Sequence, residues 1–201
     1  MTLESISWGA TILLLVTTLS ILLIRDWRWS LTLLAAQYIG IFWLTQLHWT
    51  ISMAAVKLVT GWMAATILGI TRSTLNQKLA AMPHHSWPEG RLFRILAALL
   101  AFLIVASAAP GIVTLLPGIG LAEVTGSLIL MTMGLLLLGL TIQPLRVVIG
   151  LLTVLAGFEI LYAAVETSTL VAALLVVINL GLALVGSYLL SAGSEELEAQ
   201  K

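Results

Sequence analysis

Residues 147–190 read VVIGLLTVLAGFEILYAAVETSTLVAALLVVINLGLALVGSYLL, and Glu159 and Glu166 are the only charged side chains among them. A helix rises about 1.5 Å per residue, so roughly 20 apolar residues cross a hydrocarbon core of about 30 Å. Glu166, followed by Thr167 and Ser168, divides the stretch into two such lengths, 147–166 and 168–190. Runs such as Leu135–Leu138 lack the strict alternation of a barrel strand, so helices are specified.

Working outward toward the N-terminus, comparable apolar segments lie at 122–143, 92–116, 50–70, 28–46 and 8–24. The composition agrees. Of 201 residues, 60% are hydrophobic and 9% charged, where a soluble domain has about 25% charged. Mean hydropathy is +1.12. The expectation is an all-α polytopic membrane bundle of seven transmembrane helices, a single domain on length. Along the chain it divides into N-terminal transmembrane helices (1–120) with a cytoplasmic connection at 71–91, a three-helix region (121–190), and a polar tail (191–201) expected to fray. The fourth segment carries Pro110-Gly111 and Pro117-Gly118 at its outer end, leaving two courses open. Either the helix reaches 116, or it stops near Ala109 and 110–120 runs along the interface or partly re-enters.

Seven crossings put the termini on opposite sides. Arg25, Arg28, Arg72, Lys78, Arg91, Arg94, Arg146 and Lys201 are every Lys and Arg except Lys57, and all fall on one side. The positive-inside rule makes that side cytoplasmic, with the N-terminus outside and the C-terminus in the cytoplasm. Glu123 and Glu166 then mark the outer rim. Residues 1–7 have no basic n-region, and Arg25 and Arg28 follow the first apolar run instead of a small-residue cleavage site, so no cleavable signal peptide is expected. Trp8, Trp27, Trp29, Trp49 and Trp87 fall at segment ends or in connections, where an indole anchors at the interface.

Lys57 and Glu159 lie inside apolar segments, where a mid-bilayer charge costs about 2.5 kcal/mol or more. Lys57 is seven residues in from the outer start of its segment, and Glu159 is seven before Glu166. Both therefore sit at one level, roughly 5 Å outward of the midplane. Gln37 and Asn179 fall near the middle of the second and seventh segments, so four helices bring polar groups to one slab. Two readings stay open. The pair is a structural ion pair with Gln37 and Asn179 as interhelical glue, or it is a protonatable relay.

Other chemistry is excluded or disfavoured. Without Cys there is no disulfide, thiolate metal site or iron–sulfur ligation. No Walker loop, HExxH or GxSxG is present. His84 and His85 are adjacent and lack a third ligand. His48, beside Trp49, reads as interfacial, since no second span-embedded His completes a haem site. The methionines read as packing. No cofactor, no metal and no nucleic acid partner is expected; the lipid membrane is.

The stretch 126–190, GSLILMTMGLLLLGLTIQPLRVVIGLLTVLAGFEILYAAVETSTLVAALLVVINLGLALVGSYLL, resembles the three-helix K-type subunit of respiratory complex I. It is similar too to the C-type subunit of multisubunit cation/proton antiporters. In that family a basic cytoplasmic turn precedes a helix carrying a membrane-embedded Glu in a G-x-E context, here Gly157-Phe158-Glu159. Over 8–190 the chain resembles hydrogenase-4 component E, which adds N-terminal helices. Gln37 lies in a similar Ala35-Ala36-Gln37 context, and Lys57 in Ala55-Val56-Lys57-Leu58-Val59 resembles that family's third-helix lysine. Asn179 stands where family members can have an Asp, and it cannot titrate. The second Glu usual in the third helix of the complex I subunit is missing.

The resemblance implies a membrane-arm subunit of a complex I-like or group 4 hydrogenase-like complex, in a bacterial or archaeal inner membrane. Such a subunit is non-catalytic by itself and sits beside antiporter-like partners, while flavin, iron–sulfur and nickel groups belong to other chains. Glu159 would carry the ion relay, with Lys57 as partner and Gln37 and Asn179 in support. The rivals are a self-sufficient small transporter or channel, and a purely structural assembly subunit. Inverted repeats with broken midplane helices would favour the transporter, and the sequence contains neither.

Overall fold

The computed structural model describes residues 3–79, 90–116 and 118–199. Seven helices account for nearly all of them: α1 (Leu3–Leu23), α2 (Trp27–Thr45), α3 (Ile51–Leu79), α4 (Arg91–Leu115), α5 (Leu121–Gly139), α6 (Pro144–Val165) and α7 (Thr169–Ala199). Among the described residues there is no strand. Six of the helices, all but α2, are long and apolar enough to cross a membrane. At 19 residues α2 is as long as α5, and Arg28 and Gln37 lower its hydropathy. It is also the shared neighbour of α1, α3 and α6, and less of it needs to suit lipid. The molecule is an integral membrane helix bundle.

Local signals set the helix starts. Asp26 caps α2 by accepting the Arg28 amide, and Pro144 opens α6 where its missing N–H costs nothing. Gly118, at φ 99°, makes the turn before α5, a conformation that disfavours a side chain. Glu123 then accepts the Gly120 amide at 3.3 Å, as in a capping box.

Cross-links between helices define two ends. At one, Arg94 Nη1 donates to Leu22 O (3.3 Å) and Arg146 Nη2 donates to Ile24 O. At the other, His48 meets Glu123 and the Trp49 indole donates to Glu166 O. Arg25, Arg28, Arg72, Arg91, Arg94 and Arg146 all belong to the first, basic end. Glu123 and Glu166 belong to the second, acidic end.

The tightest seam joins the antiparallel α5 and α6. A Cβ on Gly157 would lie 2.7 Å from Ser127 O, and one on Gly134 would lie 2.9 Å from Gly150 O. Backbones meet there because small residues let them, and Ser127 Oγ donates to Gly157 O at 2.6 Å. Helices α3 and α7 run parallel and pack closely, whereas α4 leans mainly on α5 and leaves most of its surface outside the bundle.

Two expected boundaries differ, and a third, left open, is decided. The connection read as 71–91 begins later, because α3 continues to Leu79. Nothing in Thr71–Leu79 breaks a helix, and Thr71 Oγ1 pairs with Ser187 Oγ at 2.6 Å across to α7. The tail read as frayed from 191 is helical to Ala199, as its Glu, Leu and Ala residues favour. Of the two courses open to the fourth segment, α4 takes the one toward 116, ending at Leu115. It passes through Pro110 to Leu115, held by Ala109 and Val105 packed inward. His84, His85 and Trp87 lie outside the described residues.

Candidate functional site

Lys57 lies six residues into α3 from its acidic end, and Glu159 lies six residues before the end of α6. At about 1.5 Å per residue both are some 9 Å in from that end. Equal depth becomes contact: Lys57 Nζ donates to Glu159 Oε1 at 2.5 Å. The side chains are 1% and 0% exposed. Asn179, from α7, donates its Nδ2 to the same Oε1 at 2.7 Å. Three helices thus converge on one carboxylate oxygen. Glu159 Oε2 is buried with no protein donor.

A fourth helix closes the cluster through a residue the sequence reading passed over. Tyr38, fully buried on α2, donates its hydroxyl to Asn179 Oδ1 at 3.2 Å. Its ring lies against α3 at Gly61, where an added Cβ would come within 2.1 Å of Tyr38 Cγ. Gly61 is one turn beyond Lys57, so the face that presents the ammonium also makes the slot for the ring. No signal in the sequence marks it, because the approach of Gly61 to Tyr38 is set by how α2 and α3 pack.

Gln37 is placed otherwise than expected. Its Nε2 reaches Thr153 Oγ1 on α6 at 3.5 Å, a long contact, and its Oε1 has no partner. Thr153 is six residues from Glu159, about 9 Å toward the basic end. The expected single slab is therefore two polar stations: Tyr38–Asn179–Glu159–Lys57, and Gln37–Thr153 below it. Beside Thr153 lies a cavity of about 10 Å³, lined also by Thr18, Ile21, Met133, Gly134 and Leu137, which is near the size of one water.

The electrostatics decide what such a cluster is worth. Two unit charges 2.5 Å apart attract by about 6–7 kcal/mol at an effective dielectric near 20, and removing each ion from water costs several kcal/mol. The terms nearly cancel. A pair of this kind adds little net stability, but losing either member strands the other.

At the acidic end, His48 Nε2 lies 2.6 Å from Glu123 Oε2 in the turn before α3. The Glu123 hydrogen bond raises the His48 pKa, and partial burial opposes it. Trp49 was expected in the interfacial belt. Instead it is 4% exposed, bonded to Glu166 O at 3.1 Å and set edge-on to Tyr162 at 6.4 Å. It bolts the α2–α3 turn to the end of α6, while Trp29, at 60% exposure, keeps a belt position.

Among the described residues no three His, Cys, Asp or Glu side chains converge as metal ligands. Comparisons with protein-family models, curated proteins and solved structures return no match, so the reading of this site rests on its own geometry.

Proposed function

We propose that this protein is a membrane-arm subunit of a complex I-like or group 4 hydrogenase-like assembly. In that role it contributes to the intramembrane polar axis that couples electron transfer to proton or sodium movement. The observation that carries the reading is the buried Lys57–Glu159 pair with Asn179 on the same carboxylate oxygen. The G-x-E context and the lysine in α3 are where the resembled families place their membrane-embedded charges. In this role the basic end faces the cytoplasm of a bacterial or archaeal cell, and the electron-carrying groups are on partner chains.

Glu159 is the proton-carrying group, and Lys57 is the counter-charge that holds it ionised or lets it go. Asn179 and Tyr38 fix its orientation without titrating in its place. The buried Oε2, without a protein donor, leaves one carboxylate oxygen able to take a proton or a water, which suits a relay.

The test is Glu159→Gln in the native complex, with ion translocation measured per electron transferred and normalised to assembled complex. The relay reading expects coupling to fall in whatever complex forms. Full coupling in assembled Glu159→Gln complex would leave the protein a structural member of its membrane arm.

A further inference from the structure

Arg94 and Arg146 stand together at the basic end, only 4% and 8% exposed. Each interacts electrostatically with Arg25, and Arg146 does so with Arg94. Their hydrogen bonds go to carbonyls at the end of α1, Leu22 O and, one residue past the helix, Ile24 O. Among the described residues, no carboxylate pairs with either guanidinium, and Arg94 Nε is buried without a partner.

Capping α1 accounts for only part of this charge. A helix C-terminus offers roughly half a negative charge, against two full positive ones. Moreover, Arg94 and Arg146 occupy the first turns of α4 and α6, neither of which has an acidic residue there or a side-chain cap. Cations at helix N-termini work against the dipole, so local helix stability does not explain their positions. Two uncapped N-termini and two buried guanidiniums face one region, and Arg25, Arg28 and Arg91 are exposed at its rim.

We propose that this end of the bundle binds a phosphate-bearing anion beside Arg94 and Arg146, where the α1–α2 turn meets the first turns of α4 and α6, the phosphodiester of an anionic lipid headgroup being its source. Guanidinium forks suit phosphate oxygens, and first-turn backbone amides of α4 and of α6 beyond Pro144 add donors. A basic pocket between helices at the membrane surface is where such headgroups lodge.

The experiment uses the full chain, purified in detergent and stripped of lipid, then offered equal phosphatidylglycerol and phosphatidylcholine and read by native mass spectrometry. The wild type should retain phosphatidylglycerol over phosphatidylcholine by about tenfold or more, the scale expected for two arginines at a headgroup. Arg94→Gln/Arg146→Gln should lose that preference, and Arg72→Gln, at the same end outside the cluster, should keep it. Should the double Gln variant fail to fold, Arg94→Lys/Arg146→Lys retains charge without the planar fork and should weaken the preference. Millimolar inorganic phosphate distinguishes the sources: competition with phosphatidylglycerol makes the ligand a soluble phosphate, and no competition makes it the lipid. Equal retention of the two lipids by the wild type, or an unchanged preference in a folded double variant, overturns the site and leaves the cluster to a partner's carboxylates.

Discussion

Removing Lys57 alone should damage the protein more than removing Lys57 and the Glu159 charge together. In Lys57→Met the carboxylate is left in a site with 0% exposure and only the Asn179 amide as a partner. Its escape is to take a proton from solution. At pH 7 that costs about 3.7 kcal/mol for a carboxyl of ordinary pKa near 4.3, at 1.36 kcal/mol per unit. The mirror variant, Glu159→Gln, leaves the ammonium, whose escape by losing a proton costs about 4.6 kcal/mol from an ordinary value near 10.4. These ceilings fall in the range of about 3–5 kcal/mol known for breaking buried pairs. In Lys57→Met/Glu159→Gln no charge remains, the Gln oxygen still accepts from Asn179, and most of the loss should return. The assay is reversible unfolding of the purified chain in mixed micelles at pH 7, with all four proteins compared as a double-mutant cycle. Single variants within about 1 kcal/mol of wild type, or a double variant as unstable as the two losses added, would refute a buried, mutually compensating pair.

Three other outcomes follow from particular contacts. Gly61→Ala forces a methyl into the Tyr38 ring, so the ring must leave and the Tyr38–Asn179 bond with it. A loss of about 1–3 kcal/mol is expected from overpacking, and Tyr38→Ala should remove most of that extra penalty in the double variant. At the acidic end, the folded His48 pKa lies above its unfolded value of about 6.5. The His48–Glu123 contact therefore contributes its full stability below about pH 6.5 and loses it as pH rises through the folded value; unfolding followed from pH 5 to 9 should show this slope, and His48→Gln should flatten it. For topology, a cytoplasmic reporter fused after Lys201 should be active, and a cysteine at Thr2 should react only with outside reagent; cytoplasmic labelling there overturns the odd number of crossings.

Depth was legible in the sequence because it is one-dimensional. Counting from segment ends placed Lys57 and Glu159 at one level, and they touch. Azimuth was not legible. Thr153 and Glu159 are six residues apart, a rotation of about 600° at 100° per residue, so they point about 120° apart around α6. Gln37 addresses the first direction and Lys57 the second, which is why the expected slab separates into two stations. Tyr38 escaped notice because an aromatic residue in an apolar helix carries no signal until the helix across from it, with Gly61, is known. Helix ends went astray for a different reason. Hydropathy reports where lipid stops, whereas α3 and α7 continue about 44 and 46 Å by their 29 and 31 residues, beyond any hydrocarbon core.

The distribution of packing around Glu159 bears on how a relay there would work. The acceptor rides on α6, which is locked to α5 by backbone approach at Gly157 and Gly134 and by the Ser127–Gly157 bond. Both donors ride on other helices, Lys57 on α3 and Asn179 on α7, and those two are packed along each other and tied again at Thr71–Ser187. A displacement of the α3–α7 pair from the α5–α6 pair therefore removes both hydrogen bonds from Oε1 together, while a shift of either helix alone is resisted by its partner. Losing one donor would leave a carboxylate still half satisfied. Losing both at once leaves an ion with no compensation, and it must take up a proton or draw in water. In the proposed relay, a fixed acceptor and a paired set of donors would tie the protonation of Glu159 to the position of two helices, an arrangement that a simple interhelical tie does not need.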